Sequence, residues 1–303
     1  MPRVVEPDFA IVADTADEIA EIPIWHEGEQ ALYWIDMLKP AFYRWDFRTK
    51  TTQTFTTPEL PSAFALRAGG GVLLATRTSI GAFDPASSRF EPWVQPEPGP
   101  AINFLNDARC DRRGRLWIGS GSKSMKEPTG MLHRVTGDRA VETLERGVCL
   151  SNALAWSPDD RTMYYGDSTR GTIWAYDFDL ADGAIRNKRV FATVPAARGI
   201  PDGSVCDAEG YVWSCEFDVS ERIEKTAGYI VRYDPQGRIE RMVEVPTCRP
   251  TAITFGGPRL DVLYCVSSRY HMTAAEHAHQ PASGAVLALD VGVKGLPEPR
   301  FDG

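Results

Sequence analysis

Histidine and cysteine are scarce in this chain, and long apolar runs are missing. Five histidines and six cysteines are spread over 303 residues with no C-x-x-C pair, so a Cys/His zinc cluster has nothing to build on. The thiols of Cys110, Cys149, Cys206, Cys215, Cys248 and Cys265 therefore read as reduced, buried side chains of a cytoplasmic protein, not as a disulfide frame. No stretch approaches the roughly 20 apolar residues a helix needs to cross a bilayer. The opening segment Met1–Asp8 also lacks the hydrophobic run and cleavage site of a secretory signal. Basic residues are outnumbered 33 to 41, a net charge of −8, and no basic block occurs. Such a chain is a poor match for phosphate backbones, so nucleic acid and membrane are set aside as partners. With 43% hydrophobic and 24% charged residues, the composition is that of a globular protein.

Helical periodicity is also missing. In its place stand short runs rich in Val, Ile, Tyr, Trp and Phe, separated by Gly, Pro, Asp and Asn turns. Ala31–Asp36, Ala41–Phe47 and Thr51–Phe55 form one set of three, and the set recurs along the chain. The corresponding residues Tyr33, Val72, Leu116, Met163, Val212 and Leu263 are 39 to 51 residues apart. One more strand precedes each set, joined to it by a tight turn such as Asp111–Arg115 or Asp207–Tyr211, and an Asp repeatedly closes the third strand. Four antiparallel strands at a period near 40–50 residues describe a propeller blade. The expectation is an all-β, six-bladed β-propeller occupying residues 1–303 as a single domain. Phe9–Ala13 fits none of the first blade's strands and is expected to pair onto the last blade, closing the ring.

The first strand of each blade lines the central channel, so residues at its start converge on the axis. Glu21, Ser62, Asn106 with Asp107, Asn152, Asp202 and Arg249 occupy that place, 10 to 14 residues ahead of the markers. Carboxylates and amides facing one axis need a counter-charge. A hard divalent cation supplies it, since Ca²⁺, Mg²⁺ and Mn²⁺ take carboxylate and carbonyl oxygens. Taken singly, each is also an ordinary turn or strand-start residue.

These residues carry a resemblance. Glu21–Trp25, Asn106-Asp107, Ser151–Trp156, Pro201–Gly203 and the later Cys248–Thr251, Phe255–Gly257 and Gly292–Gly295 are similar to the motifs of the SMP-30/gluconolactonase family, in order and over essentially the whole chain. The resemblance implies a six-bladed propeller with one divalent metal ion (Ca, Mn, Mg or Zn) in its channel, opening sugar lactones in carbohydrate metabolism. It implies Glu21, Asn152 and Asp202 as metal ligands, Asn106 as a substrate or water contact, and Asp202 as the catalytic proton-transfer group. The implied partner is a small lactone or ester, met by a monomer or small homo-oligomer.

The chain departs from the family pattern at several places. Phe104 stands where an arginine often contacts substrate, Ser124 near a substrate-binding glutamate, and Ile22 and Ala108 where glycines are usual. Losing an Arg and a Glu points to a less polar or differently substituted lactone. Phe104 also reads as a rim packing residue, with orientation supplied by Arg249 or Arg269. Two inserts, residues 121–129 and 216–228, are placed to cover the channel mouth. Asp218, Glu221, Arg222 and Glu224 in the second read as a solvated face, and His277 and His279 as solvated in a polar loop. Tyr270 and His271 are within reach of the pocket. The same metal and carboxylate also serve phosphotriester hydrolysis, a lyase or isomerase step beside a carbonyl, or a non-catalytic metal-binding propeller.

Overall fold

The structure is a computed structural model and describes residues 3–220 and 227–303. The chain builds six antiparallel sheets in sequence order, each running from an inner strand outward. The inner strands are Ala20–His26, Pro61–Leu66, Asn103–Cys110, Ser151–Trp156, Ile200–Cys206 and Pro250–Gly256. Each packs on the inner strands of its neighbours, and the sixth packs on the first, which closes the ring. Of the polar residues expected at strand starts, Glu21, Ser62, Asn106, Asp107, Asn152 and Asp202 lie within their inner strands, and Arg249 directly precedes Pro250 of the sixth.

Ring closure is as expected. Phe9–Asp14 is the outer strand of blade six and pairs antiparallel with Ala285–Leu289, Phe9 opposite Leu289 and Asp14 opposite Ala285. The sixth blade is thus held by both ends of the chain, and its edge is covered. A second contact has no counterpart in the repeat: Arg3–Val5 runs parallel along Ile239–Val245, at the edge of blade five. The C-terminal segment crosses the inner hairpins at the end of the channel opposite the starts of the inner strands. There Lys294 accepts from Ala208 N, Phe301 N donates to Leu66 O, and Asp302 N donates to Gly114 O.

Between blades the sheets meet through aromatic rings. Trp25 stacks on Tyr264 across the closure of blades six and one, centroids 5.6 Å apart, and Trp117 meets Trp156 edge-on at 5.7 Å between blades three and four. Inner hairpins are pinned by a recurring aspartate. Asp111 Oδ2 accepts from Trp117 Nε1 at 2.8 Å, and Asp207 Oδ2 from Trp213 Nε1 at 2.8 Å, while each Oδ1 accepts from two backbone N–H groups of its turn. All six cysteines are buried, as expected. One element departs from the sequence reading: His277 and His279 lie in a short helix, Ala274–His279, started by a capping box between Thr273 and Glu276. Among the described residues no helix is long and apolar enough to cross a membrane.

Phe42 is fully buried, and its ring meets those of Tyr33, Phe55, Phe64 and Phe83 at 5.0 to 6.2 Å, joining blades one and two. Phe42→Ala is therefore expected to lower the unfolding free energy by about 3–5 kcal/mol, read from the urea midpoint. A loss below about 1 kcal/mol would mean that the inter-blade seam closes up around the gap.

Candidate active site

Each inner strand slips register at the same level: between Glu21 and Ile24, Pro61 and Ala63, Leu105 and Ala108, Asn152 and Ala155, Pro201 and Ser204, and Pro250 and Ala252. A bulge bends its strand and redirects the side chain beside it. Here it brings Glu21, Asn106, Asn152 and Asp202 to one cavity of about 540 Å³, within the size range of small-molecule sites. The bulges are also where the backbone is unusual. Ile22 and Ala153, directly after Glu21 and Asn152, have φ of 52° and 61°. For a β-branched residue such as Ile22 this is a strained conformation, one that glycine would adopt without cost. Next to Asp202, a Cβ on Gly203 would lie 2.5 Å from Ala252 Cβ, so only glycine lets blades five and six meet there.

The amides are held in a chain across three blades. Asn106 Nδ2 donates to Ser151 O at 2.8 Å and to Asn152 Oδ1 at 3.3 Å. Asn152 Nδ2 donates to Ser168 Oγ at 2.8 Å, which donates to Pro201 O at 2.7 Å. Both amide nitrogens donate to protein, which leaves the Asn106 carbonyl oxygen and the remaining lone pair of Asn152 Oδ1 to face a ligand. The run-ins to two of these strands are fixed from behind. Asp36 accepts from Glu18 N and Ile19 N ahead of Glu21, and Asp167 from Cys149 N and Leu150 N ahead of Asn152. Of the Asn-Asp pair only Asn106 faces the cavity. Asp107 Oδ2 accepts from Leu154 N at 3.1 Å and ties blade three to blade four.

Charge is the unresolved quantity at this level. Burial first, and then repulsion from Asp107, push the Glu21 carboxyl up to about 8. Burial, followed by repulsion from Glu21 and Asp107, raises Asp202 well above the carboxylate range. Burial also raises Asp107, to about 6. Asp202 Oδ1 is buried with no hydrogen-bond partner among the described residues. Two carboxylates, one with an unpartnered oxygen, beside amide oxygens form an all-oxygen donor set that suits a hard divalent cation. Among the described residues no group of three or more His, Cys, Asp or Glu is arranged to hold a metal. Any cation would thus rest on this mixed carboxylate and amide set.

The remaining expected residues separate. Phe104 and Tyr270 line the cavity. Ser124 does not: its Oγ bonds Ser122 Oγ at 2.8 Å and accepts from Lys126 N and Glu127 N, shaping the turn of the first insert. Arg249 is buried beside the Phe217 ring, donates to Tyr270 O, and lines an adjacent cavity of about 620 Å³ together with His271. Phe217, Val219 and Tyr270 border both cavities. Arg269 pairs with Glu18 at 3.1 Å. Ser62 is fully buried and absent from the cavity wall. In the second insert, Asp218 is buried and accepts from Ser220 N at 2.9 Å, so it is no solvated face. Glu221, Arg222 and Glu224 lie outside the described residues. The first insert contributes Lys123 and Met125 to the cavity, and blade two contributes Arg77. None of these three carries a signal in the repeat, because each sits in a connection and not in a strand.

A ring of six sheets with bulged inner strands and a buried carboxylate–amide centre defines the class: a channel-site β-propeller. Residues 19–269 match the SMP-30/Gluconolactonase/LRE-like region, and the chain belongs to that family. It is 34% identical to a 6-deoxy-6-sulfogluconolactonase of Pseudomonas putida over 94% of this chain and 95% of that protein. It is 31% identical to regucalcin of Danio rerio, over 95% and 96% of the two chains. Among solved structures, a calcium-binding protein, regucalcin, of Agrobacterium tumefaciens superposes with a TM-score of 0.92 at 24% identity, covering 99% of each chain.

Carboxylates whose native pKa lies above the unfolded value favour the folded state below the ordinary carboxylate range, and that contribution is lost as pH rises through the native values. Chelator-treated protein should therefore lose thermal stability between about pH 5 and 8. Glu21→Gln should flatten the fall, and excess Ca²⁺ or Mg²⁺ should restore the midpoint at the upper end. Scanning fluorimetry across pH, with and without the cation, measures this. A flat wild-type profile would remove the case for a repelling pair.

Proposed function

We propose that this protein hydrolyses a sugar-derived lactone in the channel cavity, using a divalent cation held by Glu21, Asn152 and Asp202. The observation that carries the reading is the buried pair Glu21 and Asp202, with its unpartnered Asp202 oxygen, beside two amides whose donors are already used. The lactonase name of the Pseudomonas putida relative supports the substrate class, and the calcium-binding description of the Agrobacterium tumefaciens structure supports a cation in the related fold. Held by Glu21, Asn152 and Asp202, such a cation would polarise the lactone carbonyl and lower the pKa of nearby water, and it would let both carboxylates stay ionised.

The protein's own groups do the rest. Asn106 holds the substrate near the carboxylates without adding charge. Asp202 takes the proton of the attacking water as its oxygen bonds to the carbonyl carbon. The ring C–O bond then breaks, and the proton passes to the departing alkoxide, leaving a hydroxy acid. Apolar side chains, Met37, Leu150 and Phe217 among them, form much of the wall and limit competing water.

Metal analysis of gently purified protein, followed by a pH-indicator screen of lactones, tests this directly. Asp202→Asn is expected to lower kcat by about 100-fold or more, and chelation to abolish turnover until a divalent cation is returned. Full turnover by Asp202→Asn would remove Asp202 as the proton acceptor. Bound metal with no turnover of any lactone or ester would leave a cation-binding propeller instead.

A further inference from the structure

We propose that the cavity selects a lactone bearing an oxyanion (sulfonate, phosphate or carboxylate) at its end remote from the ring carbonyl, and that Arg77, seated on Phe104, binds it with Lys123 beside it. This rests on the lactonase reading and adds the substrate's charge to it.

Phe104 leaves its strand without the arginine that is usual at that place, yet a guanidinium returns from another blade. Arg77 lies in the connection between the second and third strands of blade two, and its Cζ is 5.2 Å from the centroid of the Phe104 ring. An aromatic face holds a guanidinium flat while leaving its edge donors free. Backbone contacts fix the placement: Leu105 N donates to Arg77 O at 2.9 Å. On the other flank of the same strand, Phe104 is registered opposite Gly121, and Lys123 N donates to Ile102 O at 3.0 Å. Both cations thus border the strand that carries Phe104, and both side chains line the cavity.

Neither cation is neutralised. Arg77 and Lys123 make no ion pair among the described residues. The side-chain bond recorded for Arg77 runs from Nη2 to Met37 O at 3.0 Å, a small share of five donors. The acid beside Arg77, Glu97, is already committed, accepting from Asn103 Nδ2 at 2.6 Å and meeting His133 Nε2 at 3.0 Å. Arg77 is half-buried, so its guanidinium has given up water without gaining a counter-ion. A ligand oxyanion supplies one, with the fork geometry that suits sulfonate, phosphate and carboxylate oxygens. The proposed cation site at Glu21 and Asp202 lies elsewhere on the wall of the same cavity, so the anion and the reacting carbonyl are held at separate places.

The test compares a neutral aldonolactone with the same lactone carrying a terminal sulfonate, phosphate or carboxylate, by pH-stat, in wild type, Arg77→Met and Lys123→Met. Wild type is expected to favour one of the charged lactones in kcat/KM. Arg77→Met should cut that preference at least about tenfold, mainly through KM, and Lys123→Met less, while turnover of the neutral lactone stays within about threefold. Which anionic arm wins identifies the group. Preference for the neutral lactone, or an unchanged ratio in Arg77→Met, overturns the proposal and leaves lactone hydrolysis standing. If no lactone is turned over, calorimetric binding of the open sulfonated, phosphorylated and carboxylated hydroxy acids decides between wild type and Arg77→Met. Weaker binding of a charged acid to Arg77→Met supports the anion site, and equal or absent binding overturns it.

Discussion

Glu21 and Asp202 are buried at the cavity wall, and burial raises the proton affinity of both, with repulsion from Asp107 acting on Glu21 and repulsion from Glu21 and Asp107 acting on Asp202. Two neighbouring carboxylates removed from water are costly unless protons or a cation intervene. The ring keeps them together by fixing the backbone from which each side chain leaves. Each leaves its strand at a bulge, and each bulge is clamped between the inner strands of adjacent blades. On the proposed reading the chemistry follows from this held repulsion, which would make the centre receptive to a cation, and the cation in turn would keep Asp202 ionised and so able to take a proton.

The surrounding structure serves precision more than bulk stability. The hydrogen-bond chain from Asn106 through Asn152 and Ser168 to Pro201 spans blades three, four and five, so these elements share one geometry. Asp36 and Asp167 perform the same task in blades one and four, holding the backbone just ahead of a cavity residue. Strain at Ile22 is tolerated because the inter-blade core around it is dense and aromatic. Far from the cavity, Asp111 and Asp207 lock the inner hairpins onto tryptophans, and the C-terminal segment binds several hairpins together.

Opposite charges are divided within the cavity. The carboxylates occupy bulges in the inner strands, whereas Arg77 and Lys123 come from connections. Connections can vary without disturbing the inner strands, so residues placed in them are free to differ while the centre stays the same. On the proposed reading Phe104 serves as the platform on which Arg77 rests.

Blade number, the order of the strands, ring closure by Phe9–Asp14 and the polar level at Glu21, Asn106, Asn152 and Asp202 were all legible in the amino-acid order. A repeat of four strands imposes local periodicity and turn chemistry at regular intervals, and both are written in neighbouring residues. Tertiary structure alone decided which members of that polar level face the cavity. It turned Asp107 toward blade four, left Ser62 sealed in the core, placed Arg249 beyond Phe217, and bound Ser124 into its own turn. It also brought in Arg77 and Lys123 from connections with no repeating signal. Where a side chain points after a bulge, and which loop passes over which ring, depends on contacts between blades far apart along the chain, and these exist only once the ring has closed.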